Sequence, residues 1–211
     1  MELLRAALTH RSVGALNNER LEFLGDALLN AIVACELFAR KPEAEEGELS
    51  RLRAWLVRGE TLSEVGKHLN LGSVLRLGEG ERKSGGARRA SIVADGVEAI
   101  IGAVYLDGGY EAARALVLRL LAERLDDLPA LEALKDPKTR LQEYLQARQQ
   151  PLPDYELVHA RGADHAREFT VRCRVQDADM CCEATASSRR RAEQQAAEQC
   201  LQRLQGGLRG E

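Results

Sequence analysis

Apolar residues recur at helical spacing through the first 128 residues. Leu3–Leu8, Glu19–Ala39, Glu48–Leu56, Thr61–Leu69, Ser91–Leu106 and Tyr110–Leu125 each carry the three-to-four-residue period of a helix packed on one side. Gly, Asn and Pro punctuate them. Strand-like alternation is absent, so residues 1–128 are predicted to form an all-α domain. The texture then changes. Lys138–Ala147 keeps a helical period, Tyr155–Ala160 reads as a strand, Phe169–Val175 alternates with period two, and Met180–Ala186 makes a weaker third strand. Ser188–Leu204 sets Ala192, Ala196, Cys200 and Leu204 four apart on one helical face. The order α-β-β-β-α predicts a small α+β domain over 136–206. Pro129, Pro137, Pro151 and Pro153 crowd the boundary, and 129–135 reads as the linker.

Composition adds exclusions. With 30 Lys and Arg against 33 Asp and Glu, the net charge of −3 gives no whole-chain reason to expect a nucleic acid, so any such partner must show in local pattern. No stretch approaches the ~18 apolar residues of a membrane span, and the N-terminus has no apolar signal core. The five cysteines, with Cys181 and Cys182 adjacent, lack both zinc-ligand spacing and a disulfide framework. A reducing, cytoplasmic setting is expected, with no membrane partner.

The most informative segment is residues 17–38, NNERLEFLGDALLNAIVACELF. Glu22 and Asp26 lie about 40° apart round this helix, with Glu19 about 20° further, on a helix apolar in nearly all other directions. The pattern recurs in IVADGVEAIIGAVYL (92–106), where Asp95 and Glu98 are the only charges and Gly96, Ala99, Gly102 and Ala103 offer small surfaces for close packing. Unpartnered desolvated carboxylates cost several kcal/mol or take up protons. Two such pairs are expected to face one another across a shared divalent cation. All-oxygen ligands favour Mg²⁺ or Mn²⁺, and two-metal sites act on phosphodiesters. The alternative is structural pairing with arginines such as Arg51, Arg53 or Arg58. Glu46 is a third candidate acid, though taken alone it reads more readily as a solvated residue near a helix start.

A second irregularity lies in Ser187–Ala192, where three arginines open a helix against its macrodipole behind a candidate N-cap, Ser188. Cations beside helix amides make a phosphate site, although a solvated charge run is the commoner fate of such a triplet. The connection 160–168 offers Gly162 and His165, and the preceding helix presents Thr139, Gln142 and Glu143. Three separate contact regions and little aromatic surface suit a duplex of A-form geometry better than single strands.

With these residues in hand, the chain closely resembles bacterial ribonuclease III. NERLEFLGD (18–26) and ADGVEAIIGAVYLD (94–107) match its two acidic motifs. KDPKTRLQEYLQ (135–146), G-x-x-H (162–165) and SSRRRAE (187–193) match its double-stranded-RNA-binding domain. The resemblance implies an all-α endonuclease domain followed by a duplex-RNA-binding domain. The implied activity is a Mg²⁺-dependent endoribonuclease, Mn²⁺ substituting, that leaves 5′-phosphate and 3′-hydroxyl ends and processes rRNA precursors, mRNA and tRNA. Glu22, Asp26, Asp95 and Glu98 fall on the family's metal-binding acids, with Asp26 and Glu98 given the catalytic roles. Glu19 and Glu46 fall on accessory acids. Thr139, Gln142, Glu143, Gly162, His165, Ser188, Arg189 and Arg190 fall on RNA-contacting positions. The implied assembly is a homodimer with Phe23 at its interface, although an aromatic at helical spacing is ordinarily core.

Two departures stand out. Only MELLRAA precedes LTHRS (8–12), where family members usually carry another helix. Glu193 replaces a common lysine, which predicts weaker duplex binding through a lost phosphate contact. His10 reads as a satisfied core histidine. Competing functions are a non-catalytic duplex-RNA-binding or ribosome-associated protein on this fold, and a metal phosphohydrolase of small nucleotides.

Overall fold

The computed structural model describes residues 2–162, 167–176 and 180–206. Its contacts divide the chain into two compact units, one ending at Leu134 and the other beginning at Lys135.

The first unit is helical. Its elements are α1 (Glu2–Ala7), α2 (Glu19–Arg40), α3 (Glu46–Val57), α4 (Gly59–His68), α5 (Glu79–Lys83), α6 (Ala90–Leu120), α7 (Ala122–Asp126) and α8 (Leu131–Leu134). Local chemistry sets several of the ends. Glu45 and Glu48 form a reciprocal capping box at the start of α3. α2 stops before Lys41-Pro42, where proline disfavours a helical predecessor. Within α6, Gly109 adopts φ 76°, ψ −172°, so the two helices expected over 91–106 and 110–125 meet there at a kink.

Burial follows the apolar stripes. Leu29, Ile32, Val33 and Leu37 of α2 pack with Leu52 and Leu56 of α3, Leu62 and Val65 of α4, and Val97, Ile101 and Val117 of α6. α2 and α6 share the most extensive helix contact of the unit. Their approach is set by glycine on both sides. A Cβ on Gly25 would collide with the carbonyl oxygen of Glu98, and one on Gly102 with that of Leu21. α8 lies within the segment read as linker, and Leu131 and Leu134 pack against the core. α5 had no counterpart in the apolar pattern.

The second unit runs α9 (Pro137–Gln146), β1 (Asp154–Arg161), β2 (Glu168–Val175), β3 (Met180–Ala186) and α10 (Arg189–Gly206). Asp136 caps α9 by accepting from Lys138 N at 2.9 Å, with Pro137 in the first turn. The strands form an antiparallel sheet in the order β1-β2-β3. Val171 pairs with Ala184 and Cys173 with Cys182, and the β1–β2 register shifts between Leu157 and His159. Leu141, Leu145, Cys173, Val175, Cys182, Ala196, Cys200 and Leu201 make one core between the sheet and the two helices. All five cysteines are free thiols. Burial pushes the Cys182 thiol up to about 12, which suits a packing role. No helix among the described residues is long and apolar enough to cross a membrane.

Candidate active site

Close packing of α2 on α6 brings three carboxylates together. One oxygen each from Glu22, Asp95 and Glu98 lies within 4.8 Å of the others, and all three residues are half-buried. Electrostatics record the crowding. Burial raises Glu22, with Asp95 and Glu19 adding to the rise against Arg11. Burial likewise raises Asp95, against the lowering influence of His10 and Arg11. Glu98 is pushed up to about 7, first by burial and then by the charges of Asp26, Asp95 and Glu22. These are acids held together at a cost that a cation would relieve.

The fourth expected acid, Asp26, stands beside this group rather than in it. It is exposed, and Asn30 Nδ2 donates to its Oδ1 at 2.9 Å. Glu19 is paired with Arg11 at 3.5 Å. Glu46 lies at the start of α3, where Ser50 Oγ donates to it at 2.8 Å, and it does not join the cluster. The structural alternative fails. Among the described residues no Lys or Arg pairs with Glu22, Asp26, Asp95 or Glu98, and Arg58 pairs with Glu60 instead.

A cavity of about 190 Å³ opens beside Glu22 and Asp95, lined also by His10, Arg11, Asn18, Glu19, Glu81, Arg89 and Ser91. Main-chain bonds fix its near wall. Arg76 N donates to Leu8 O at 2.8 Å, His10 N to Arg76 O at 3.0 Å, and Asn18 N to Thr9 O at 2.8 Å. His10 is buried and accepts from Ser12 N at 3.2 Å, as a satisfied histidine should. Sequence reasoning missed Arg11, Asn18, Arg89 and Ser91. The basic run in ERKSGGARRAS (81–91) was the available signal for two of them.

In the second unit, Thr139, Gln142 and Glu143 are exposed along α9, and Lys135 Nζ reaches Glu143 at 2.8 Å. Gly162 is exposed at φ 102°, whereas His165 lies outside the described residues. Ser188 Oγ accepts from Arg191 N at 3.3 Å, the capping bond that the sequence predicts. Arg190 is largely exposed. The starts of α9 and α10 are bound together, since Gln194 Nε2 donates to Asp136 at 2.6 Å and Lys138 Nζ to Glu193 at 2.7 Å. Glu193 also pairs with Arg189 at 2.9 Å. Burial would raise its carboxyl, but these two cations hold it below the usual range. Glu193 is therefore a clamp between two basic side chains, not a bare absence of lysine.

A helical unit built round clustered carboxylates, followed by an α-β-β-β-α unit with a basic helix start, defines a nuclease of structured RNA. Residues 1–125 match the family described as Ribonuclease-III-like, and residues 137–204 match the Double-stranded RNA binding motif. Ribonuclease 3 of Alkalilimnicola ehrlichii is 60% identical over 204 residues, 97% of this chain and 90% of the relative. That of Vibrio cholerae is 53% identical over 206 residues, covering 98% and 92%. Among solved structures, the nuclease domain of ribonuclease III from Campylobacter jejuni aligns with a TM-score of 0.56 at 44% identity, over 57% of this chain and 85% of that one. The chain belongs to the ribonuclease III family, the endoribonucleases of double-stranded RNA.

Proposed function

We propose that Glu22, Asp95 and Glu98 hold a divalent cation, Mg²⁺ with Mn²⁺ as its substitute. Duplex RNA is hydrolysed there to 5′-phosphate and 3′-hydroxyl ends. The observation that carries this reading is the half-buried cluster itself, three carboxylates within 4.8 Å without a basic partner among the described residues. Its all-oxygen donors suit a hard cation. When bound, such an ion supplies a water of lowered pKa and a counter-charge for the leaving oxygen.

The chain's own residues do the rest. Asp26, held by Asn30 beside the cluster, orients the attacking water, and Glu98 shares the catalytic role. Glu19 and Glu46 serve as accessory acids. Thr139, Gln142 and Glu143 of α9, the Gly162–His165 connection, and Ser188, Arg189 and Arg190 at the start of α10 grip the backbone over roughly 16 base pairs. These contacts supply affinity with little sequence readout. The substrates are structured transcripts, including precursors of rRNA, mRNA and tRNA, processed in the cytoplasm.

The working form is a homodimer. Phe23 is 80% exposed on α2, whose buried face is Leu21, Gly25, Leu29, Ile32, Val33 and Leu37, and Leu16, just before the helix, is 91% exposed. The Campylobacter jejuni nuclease domain has a region involved in dimer formation.

The test is an end-labelled RNA hairpin incubated with wild type and with Glu98→Gln, with and without Mg²⁺. Cleavage by the wild type only with metal, leaving 5′-phosphates, and loss of cleavage in the variant are the expected results. Binding without cleavage by the wild type would point to the non-catalytic alternative. Equal rates for the two proteins would remove Glu98 from the site.

A further inference from the structure

Asn18 occupies the N-cap position of α2, where an asparagine ordinarily bonds to the first-turn amides. Here its side chain makes no capping bond, and Asn17 Oδ1 accepts from Glu19 N at 3.0 Å in its place. Asn18 is only 2% exposed, and its Nδ2 has no partner among the described residues. A buried amide donor left unpaired costs about 1–3 kcal/mol. It lines the cavity beside Glu22 and Asp95.

Beyond the cluster acids Glu22 and Asp95, that cavity is lined by two arginine–glutamate pairs, Arg11 with Glu19 and Arg89 with Glu81, and Ser91 contributes a hydroxyl. Each arginine is steadied by one acid, Arg11 by Glu19 at 3.5 Å and Arg89 by Glu81 at 2.9 Å. A guanidinium carries five N–H donors, so one carboxylate leaves others for a second anion. Glu22 and Asp95 border the cavity while Asp26 and Glu98 do not, so it lies to one side of the cluster. With Glu22 and Asp95 on the cation and Glu19 and Glu81 on the arginines, what is left over is donors: Asn18 Nδ2, the remaining guanidinium N–H groups and the Ser91 hydroxyl. A group fitting there accepts hydrogen bonds and lies next to the bound cation. A backbone phosphate answers that description.

We propose that this cavity is a phosphate subsite for the RNA strand being cut. It takes a phosphate adjacent to the scissile one, with the buried Asn18 amide donating to a non-bridging oxygen and Arg11 and Arg89 drawing the group in. The subsite deepens the nuclease reading and rests on it. Its function is to fix the register of the strand over the carboxylates, so that the scissile phosphate is presented in line.

The experiment pairs protein and substrate changes. Synthetic duplexes carry a single uncharged methylphosphonate at each phosphate within three of the cut, and kcat/KM is measured for wild type and Asn18→Asp. Aspartate keeps the shape and is a good helix cap, so α2 retains its start, while the donor is lost and a repelling charge gained. With wild type, one phosphate beside the scissile one is expected to lose about tenfold when neutralised, the scale of a charge-assisted hydrogen bond. In Asn18→Asp that position loses its penalty, while other sensitive positions keep theirs. Penalties that multiply with the substitution at every position would overturn the proposal. The same duplexes with Arg11→Ala, a change at an exposed side chain, repeat the test should Asn18→Asp fold poorly. A rise in Tm with Mg²⁺ that survives in both variants shows that the metal cluster is intact. Its loss in Asn18→Asp would overturn the proposal by assigning Asn18 to the cluster. A wild type that cuts no duplex in Mg²⁺ would instead sink the nuclease reading.

Discussion

Glu98 is the acid whose charge the fold most disfavours, because burial and three neighbouring carboxylates act in the same direction. Burial and like charge push its carboxyl up to about 7, above the ordinary glutamate value of 4.5. Between those values the folded state binds more protons than the unfolded chain, so for this group the metal-free protein gains stability as pH falls from 7 towards 4.5. Glu22 and Asp95 shift in the same direction. On the proposal that these acids hold Mg²⁺, protons and the ion compete for one site. Thermal melts should show a clear rise in Tm with millimolar Mg²⁺ at pH 8 and almost none at pH 5.5. An equal rise at both values would place the ion elsewhere. Glu193 gives a second residue-level expectation, opposite to the one its sequence position invites. Glu193→Lys removes the partner of both Lys138 and Arg189 and sets three cations together. It should destabilise the second unit by about 1–3 kcal/mol, the range for losing a partly buried charged partner. Duplex binding measured by gel shift should not tighten. A gain in affinity with unchanged melting would restore the simpler view.

Among the elements, the crossing of α2 and α6 governs the site. Gly25 and Gly102 each meet the facing helix backbone, so there is no side chain to rotate away when a methyl is added. Gly25→Ala should cost about 1–3 kcal/mol or more and lower Tm by several degrees, together with a large loss of Mg²⁺-dependent cleavage. Gly80→Ala on α5, where nothing lies within 4 Å of an added Cβ, is the matched control and should change neither. The same crossing explains what was readable beforehand. Glu22 and Asp26 on one apolar helix, and Asp95 and Glu98 on another, violate the pattern of a dry face, and that violation is local to each stretch of sequence. The structure gathers three of these four and leaves Asp26 alongside, because the exact rotation of the helices depends on glycine contacts that no single-helix pattern contains. Arg11, Asn18 and Arg89 were not legible for a related reason. Arg89 is far along the chain from Arg11 and Asn18, and the main-chain bonds of Thr9 to Asn18 and of His10 to Arg76 that shape this wall are tertiary contacts. α5 and α8, at five and four residues, are too short to show a period and owe their form to their surroundings.

For the whole molecule, the open question is how one cluster per chain serves a substrate with two strands. α2 carries Glu22 to the cluster while presenting Phe23, the next residue, to solvent, so a second copy docked on that face would join assembly to the site through one helix. A large aromatic at the centre of an interface commonly contributes 2 kcal/mol or more, or about 30-fold in affinity. Phe23→Ala should therefore shift sedimentation from dimer towards monomer at micromolar concentration. Melting should change little when measured well above the dissociation constant, since an 80% exposed side chain contributes little to its own unit's core. Because each chain carries its own Glu22, Asp95 and Glu98, the dissociated variant should keep the Mg²⁺-dependent rise in Tm proposed for that cluster. Its cleavage rate per subunit should fall on dilution and recover as concentration rises. A variant that sediments like the wild type would remove Phe23 from the interface. A wild-type protein that remains monomeric at tens of micromolar would remove the dimer, and leave a single cluster to cut the strands one at a time.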